Sequence, residues 1–131
     1  MKELEFQISS VRWSDFSGPE HYKPDELVEA LIDLSRYDES RAINGLENKV
    51  LFAVGNNHAG TYYPAVLVAL DILIVIEQSS EVEAIRNCAH AILNNLYYFS
   101  PEVGDYMAHS PQEIEDYVKV KLKPYSDNPE S

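Results

Sequence analysis

Between Ala65 and Ile76 the chain reads Ala-Val-Leu-Val-Ala-Leu-Asp-Ile-Leu-Ile-Val-Ile, broken only by Asp71. A bilayer-spanning helix needs about 20 apolar residues, so this run is too short to cross a membrane. It starts behind Pro64, with Thr61 available as a cap, and continues to about Gln78 before Ser79-Ser80. A helix apolar on nearly every side must lie between other elements. The rest of the chain therefore has to supply its neighbours, and the spacing of apolar residues predicts that these are helices.

Upstream, Pro24 followed by Asp25 and Glu26 is a helix start, with acids at the positive end of the dipole. Leu27, Leu31 and Leu34 share one face of this helix, which ends near Tyr37. A second helix begins at Asp38 or Ser40, carries Ile43, Leu46, Val50 and Val54, and closes at Gly55-Asn56-Asn57, read as a left-handed C-cap. Downstream of the apolar run, Ser80-Glu81-Val82-Glu83 is a capping box. It opens a fourth helix that buries Ile85, Ala89, Ile92 and Leu96 and stops before Ser100-Pro101. A second box, Ser110-Pro111-Gln112-Glu113, opens a fifth helix with Ile114, Tyr117 and Val118. Two segments alternate instead. Leu4, Phe6 and Ile8 suit a short strand or extended arm. Val118, Val120 and Leu122, interleaved with Lys119, Lys121 and Lys123, read as helix or strand and could pair with the first.

The pattern repeats. A shift of 39 residues places Leu27, Ala30, Leu31 and Leu34 on Val66, Ala69, Leu70 and Leu73, and a shift of 42 places Ala42, Ile43, Val50 and Leu51 on Ala84, Ile85, Ile92 and Leu93. A helical hairpin of about 40 residues is the size of a HEAT or armadillo unit. The expected fold is one all-α domain over residues 1–131: an N-terminal arm (1–23), hairpins at 24–55 and 61–99, and a helix or strand at 110–123. About five helices and a short terminal β pair complete it.

Charge narrows the function. With 22 acidic and 10 basic residues the formal charge is −12. That opposes direct binding to nucleic acid or an anionic bilayer, both of which draw on Lys and Arg neutralising phosphate. Lone Cys88 cannot form an internal disulfide and sits in an apolar pattern, as a small buried hydrophobe would. The segment MKELEFQISS lacks the apolar core of a secretory signal, so the expected location is cytoplasmic.

Catalytic signals are weak. His21, His58, His90 and His109 are scattered, never at the spacing of a helical metal pair, and there is no Cys-x-x-Cys. No metal or other cofactor is expected. Asp71 is the one acid within the apolar run; it either faces a wet strip of its helix or bonds a group on the next element. No nucleophile elbow or phosphate-binding glycine loop is present, and an enzyme is not expected.

Binding surfaces are better marked. On the fourth helix Glu83, Asn87, His90, Asn94 and Tyr97 form a stripe opposite the core residues. Shifted back by 42 residues, its first four positions become Arg41, Gly45, Asn48 and Phe52. In a solenoid the two stripes would adjoin on a concave face. Residues 71–118 hold nine acids against one base, Arg86, which places −8 of the −12 in 48 residues. Helix starts account for Glu81, Glu83 and Glu113. Glu102, Asp105, Glu115 and Asp116 have no such role, and they lie among Tyr97, Tyr98, Phe99, Tyr106 and Tyr117. Carboxylates that steer and pair with Arg or Lys, beside tyrosines that pack, suit a basic protein surface.

One motif carries a resemblance. Trp13 and then Gly18 precede the first hairpin, and His58, Gly60, Thr61, Tyr63, Pro64 and Ala65 enter the second. Together these residues resemble a bacterial HEAT-like family found beside toxin genes, over roughly residues 11–100. The chain departs from the commoner pattern in lacking a Gln after its His and in carrying Asn56-Asn57 ahead of it. The resemblance implies an immunity protein of a polymorphic toxin or contact-dependent growth-inhibition system, which binds a cognate toxin domain and blocks it. The motif also has a purely structural reading: Thr61 as cap, Pro64 in the first turn, Gly60 for a tight bend, His58 on an exposed backbone group.

The expectation is therefore an immunity protein for a basic toxin domain, such as an RNase or other nuclease whose groove must be positive to hold phosphate. A HEAT-like adaptor in a larger complex is the alternative, and a metal-dependent hydrolase a distant third.

Overall fold

The computed structural model describes residues 2–16, 18, 22–37, 43–56, 58–102 and 111–126. The fold is predominantly α-helical with a very small sheet. In chain order the elements are α1 (Lys2–Ser10), a 3-10 turn (Trp13–Asp15), α2 (Pro24–Ser35), α3 (Ile43–Val54), β1 (Gly55–Asn56), β2 (Thr61–Tyr62), α4 (Val66–Ser79), α5 (Glu83–Tyr98), β3 (Ser100–Pro101), α6 (Pro111–Leu122) and a second 3-10 turn (Lys123–Tyr125).

α2 packs on α3 and α4 packs on α5, forming the two expected hairpins, which meet through α3 and α5. α1 lies on α2, and α6 closes over α5 and α4. Equivalent positions of the two units do the same work. Leu27, Ala30, Leu31 and Leu34 are fully buried, as are Val66, Ala69, Leu70 and Leu73; Val50 and Leu51 are buried, as are Ile92 and Leu93. Ile85, Ala89, Ile92 and Leu96 form the buried face of α5 as expected.

Both alternating segments are helical, which corrects the strand or extended arm at Leu4–Ile8 and its pairing, and decides the helix-or-strand segment at 118–122 for helix. Positions two apart lie on opposite sides of a helix, and positions four apart share a side. Leu4 and Ile8 are buried while Phe6 between them is 75% exposed; Val118 and Leu122 are buried while Val120 is 77% exposed. Every second residue being apolar thus concealed an i, i+4 pair with one outward residue, in both places.

The sheet lies elsewhere than expected. β1 and β2 are antiparallel, with Gly55 opposite Tyr62 and Asn56 opposite Thr61. β2 and β3 are parallel, with Thr61 opposite Ser100 and Tyr62 opposite Pro101. Backbone bonds from Tyr63 N–H to the Val54 carbonyl (2.8 Å), Ser100 N–H to Gly60 (3.0 Å) and Glu102 N–H to Tyr62 (2.9 Å) extend the ladder. The sheet thus ties the end of α3, the entry to α4 and the end of α5 into one knot.

That knot overturns two local expectations, the Thr61 cap and the left-handed C-cap at Gly55-Asn56-Asn57. Thr61 is a strand residue rather than a helix cap, and Ala65, which precedes α4, makes no side-chain cap bond. Among the described glycines the left-handed one is Gly60 (φ +70°), which turns the chain between β1 and β2. Gly55 is needed for another reason: a Cβ there would lie 2.0 Å from the Thr61 carbonyl oxygen and 2.6 Å from the Tyr62 Cα. The box at Ser80 is displaced as well. Ser80 Oγ accepts from Val82 N–H (3.2 Å) in a turn ahead of α5, and Arg86 donates to the Ser80 carbonyl (2.9 Å). Ser110, the cap of the second box, and Asp38, Ser40 and Asn57 lie outside the described residues.

Trp13 anchors α1: it is buried, its Nε1–H donates to the Ile8 carbonyl (2.8 Å), and its own carbonyl accepts from the Tyr22 hydroxyl. Among the described residues no helix is long and apolar enough to cross a membrane.

Candidate functional site

The stripe Glu83, Asn87, His90, Asn94 and Tyr97 lies along one face of α5, but only its first part is open. Glu83, Asn87 and His90 are exposed. The 3-10 turn after α6 folds across the rest: Asn94 Nδ2 donates to the Tyr125 carbonyl (3.0 Å), and the His90 ring lies 5.6 Å from that of Tyr125. The Tyr125 hydroxyl in turn donates to Glu77 (3.3 Å) and accepts from Gln78 (3.3 Å) on α4. At the next turn Lys119 of α6 sits 4.5 Å from the Tyr97 ring centroid and donates to the Tyr97 carbonyl. The stripe is therefore divided between solvent and internal packing. Gly45, Asn48 and Phe52 are exposed on α3, and Arg41 lies outside the described residues.

The acidic and aromatic residues converge where α5 ends. Tyr98 is 50% exposed and stands edge-on to Tyr97, with ring centroids 5.0 Å apart. β3 then carries the chain to Glu102, beside β2. Glu102 and Glu115 flank the Tyr62–Tyr63 pair. Burial first, and then the Glu115 charge, pushes the Tyr62 hydroxyl far above its ordinary range; burial and then Glu102 raise Tyr63. Tyr62 is fully buried, and its hydroxyl has no hydrogen-bond partner among the described residues. Asp116 points outward and accepts from Gln112 one turn earlier (2.8 Å). The structure thus sets Glu102 and Glu115 by the Tyr62–Tyr63 pair and Tyr97 against Lys119 of α6, with Tyr98 exposed at the end of α5 and Asp116 exposed on α6. Asp105 and Tyr106 lie outside the described residues.

Lys119 of α6 joins this group through Tyr97. Its signal was available: once Val118 and Leu122 are taken as one helical face, Lys119 and Lys121 fall on opposite flanks of it. Lys119 turns to α5, and Lys121 turns to α4, where its Nζ lies 3.6 Å from Asp71. Asp71 also accepts from the Tyr117 hydroxyl (3.3 Å) while its side chain stays 46% exposed, so both readings of this acid hold: it faces a wet strip of its helix and bonds a neighbouring element.

The entry motif acts on the backbone. Asn56 Oδ1 accepts from His58 N–H (3.1 Å) and Ala59 N–H (3.2 Å), doing the work assigned to the His58 side chain. The His58 ring is exposed and edge-on to Phe52, at 5.1 Å. Tyr63 and Pro64 are buried at the head of α4. A cleft of about 580 Å³ opens between α2, α3 and this turn, lined by Lys23, Glu26, Glu29, Lys49, Phe52 and His58 among others. Lys49 is held there by Glu29 (3.1 Å) and Asp33 (2.6 Å).

Cys88 is buried on α5, and burial, with a smaller contribution from Glu47, pushes its thiol from 9.0 up to about 12. Such a thiol is a poor nucleophile at neutral pH. Because the unfolded chain ionises first, the stability tied to the neutral thiol is complete below pH 9 and declines as pH rises towards 12. Urea unfolding from pH 8 to 11 should show wild type losing stability relative to Cys88→Ala, by at most about 1.4 kcal/mol per pH unit. A constant difference would contradict this placement of the thiol.

Among the described residues no three His, Cys, Asp or Glu side chains are grouped as metal ligands. The surface at this end carries carboxylates and exposed aromatic faces. No family model, curated protein or solved structure matches the chain.

Proposed function

We propose that this chain is an immunity-type inhibitor that binds a basic toxin domain, such as a nuclease, and blocks its substrate groove. The observation that carries the reading is that β3 and α6 bring Glu102 and Glu115 to the Tyr62–Tyr63 pair, with half-exposed Tyr98 two residues before β3 and Asp116 exposed on α6. These acids lie within the segment that holds −8 of the net −12. Half-exposed tyrosine is interface material, and carboxylates beside it complement a phosphate-binding groove. Inhibition by occlusion asks for no catalytic residue in the inhibitor. The resemblance of the His58–Ala65 motif and Trp13 to toxin-linked HEAT-like proteins supports the same reading.

The test is direct. The C-terminal domain of the protein encoded immediately upstream is purified and titrated with this chain by calorimetry, and its activity is measured alongside. A complex at or below micromolar Kd, with loss of that activity, is expected. Absence of binding at micromolar concentrations would overturn the proposal, and would leave an adaptor role as the reading to pursue.

A further inference from the structure

The apolar helix α4 is covered by α5 and α6, and among the described residues one strip of it stays partly exposed. Leu67, Val68 and Ile74 are half-buried and Val75 is 40% exposed. Beside α6 this strip becomes a groove of about 430 Å³, lined by Leu67, Val68, Asp71, Glu113, Ile114 and Tyr117. Its floor is aliphatic, and its polar rim is two carboxylates and a phenol. A cation already rests there. Lys121 Nζ is 3.6 Å from Asp71 and 5.9 Å from the Tyr117 ring centroid, and the Tyr117 hydroxyl donates to the same carboxylate at 3.3 Å. Both partners of this ion pair are nearly half exposed (46% and 47%), so it is weakly held and open to exchange.

We infer that the α4–α6 groove receives an arginine carried on an apolar segment of a basic protein partner, its guanidinium replacing Lys121 on Asp71 and Tyr117. Arginine suits the place better than the resident lysine. Its planar fork can take both carboxylate oxygens and stack on the phenol ring, while the neighbouring apolar side chains cover Leu67 and Val68. A second copy of this chain fits poorly. An isologous contact would set this acid-rimmed patch against a copy of itself in a protein of net charge −12. The inference rests on the reading of a basic protein partner and extends its footprint across α6, from the Glu115 flank to the Tyr117 flank.

A synthetic probe keeps its failure separate from that of the toxin reading. The probe is a 16-residue amphipathic helical peptide of Leu, Ala and Gln with one central Arg, titrated by NMR into the full chain at 150 mM salt. Shifts should concentrate on Leu67, Val68, Asp71 and Tyr117. Lys121→Met should tighten binding about threefold by removing the competing cation, whereas Lys123→Met, an equal change of charge, should leave it nearly unchanged. Asp71→Asn, or citrulline in place of the peptide's Arg, should weaken it about fivefold. Equal effects of the two lysine variants, indifference to citrulline, shifts centred elsewhere, or no binding at millimolar peptide would each overturn the inference. So would sedimentation of the free chain as a dimer that Val68→Asn dissociates.

Discussion

Gly55→Ala should lower the stability of the fold by about 3 kcal/mol, more than any single exposed substitution. The added methyl would meet backbone rather than a mobile side chain: the Thr61 carbonyl oxygen at 2.0 Å and the Tyr62 Cα at 2.6 Å. A side chain in the way can change rotamer, but these atoms move only if β1 and β2 part. Parting them releases the pairs Gly55–Tyr62 and Asn56–Thr61, and with them the parallel pairing of β2 to β3. The ends of α3 and α5 and the entry to α4 then lose their common tie. Urea denaturation with circular dichroism reads the loss. A change below about 1 kcal/mol would mean that the strands can separate cheaply, and the turn would not hold the acidic end in place. Gly45→Ala is the control, since nothing lies within 4 Å of a Cβ there.

Reversing charge at Glu115 and Asp116 should have the largest effect on partner binding. The double variant Glu115→Lys, Asp116→Lys changes the local charge by four units on the half-buried and exposed flanks of α6. Electrostatic steering accounts for factors of about 10–1000 in association rate, so a fall of at least about tenfold is expected at low salt. The matched variant Asp25→Lys, Glu26→Lys makes the same change on exposed positions at the start of α2 and should slow association far less. At high salt the two variants should converge, because screening shortens the reach of the field. Stopped-flow fluorescence measures the rates, with melting temperatures recorded beside them. Equal slowing by the two pairs would make the charge effect a property of the whole protein rather than of this surface.

The helical body was legible because its signal is long. α2 and α5 carry apolar residues at three- and four-residue spacing over several turns, and burial follows the pattern at Leu27, Leu31, Ile85 and Ile92. Short segments were misread for a definite reason. Over five residues an alternation such as Leu4-Phe6-Ile8 contains both a period of two and a spacing of four. Only the neighbours decide between them: α1 has α2 to bury Leu4 and Ile8 against. Two-residue strands have no period at all, so the β1–β2–β3 sheet left only Gly55 and Gly60 as traces, and these also suit a helix end. Composition marked the acidic and aromatic residues, but their grouping depends on the sheet, which brings Glu102 to Tyr62 and α6 with Glu115 beside it. Lys119 and the turn at Tyr125 cover half of the α5 stripe for the same reason: only tertiary packing places them there.

The account turns on which surface is covered in the complex, and amide hydrogen exchange measures that directly. The chain is exchanged alone and with the upstream-encoded domain at saturating concentration, and protection is compared by segment. Slowed exchange at residues 97–102 and 111–117, with α1 and α2 unchanged, is the predicted result. Protection confined to α1, α2 or the cleft beside Phe52 and His58, or protection nowhere, would contradict it.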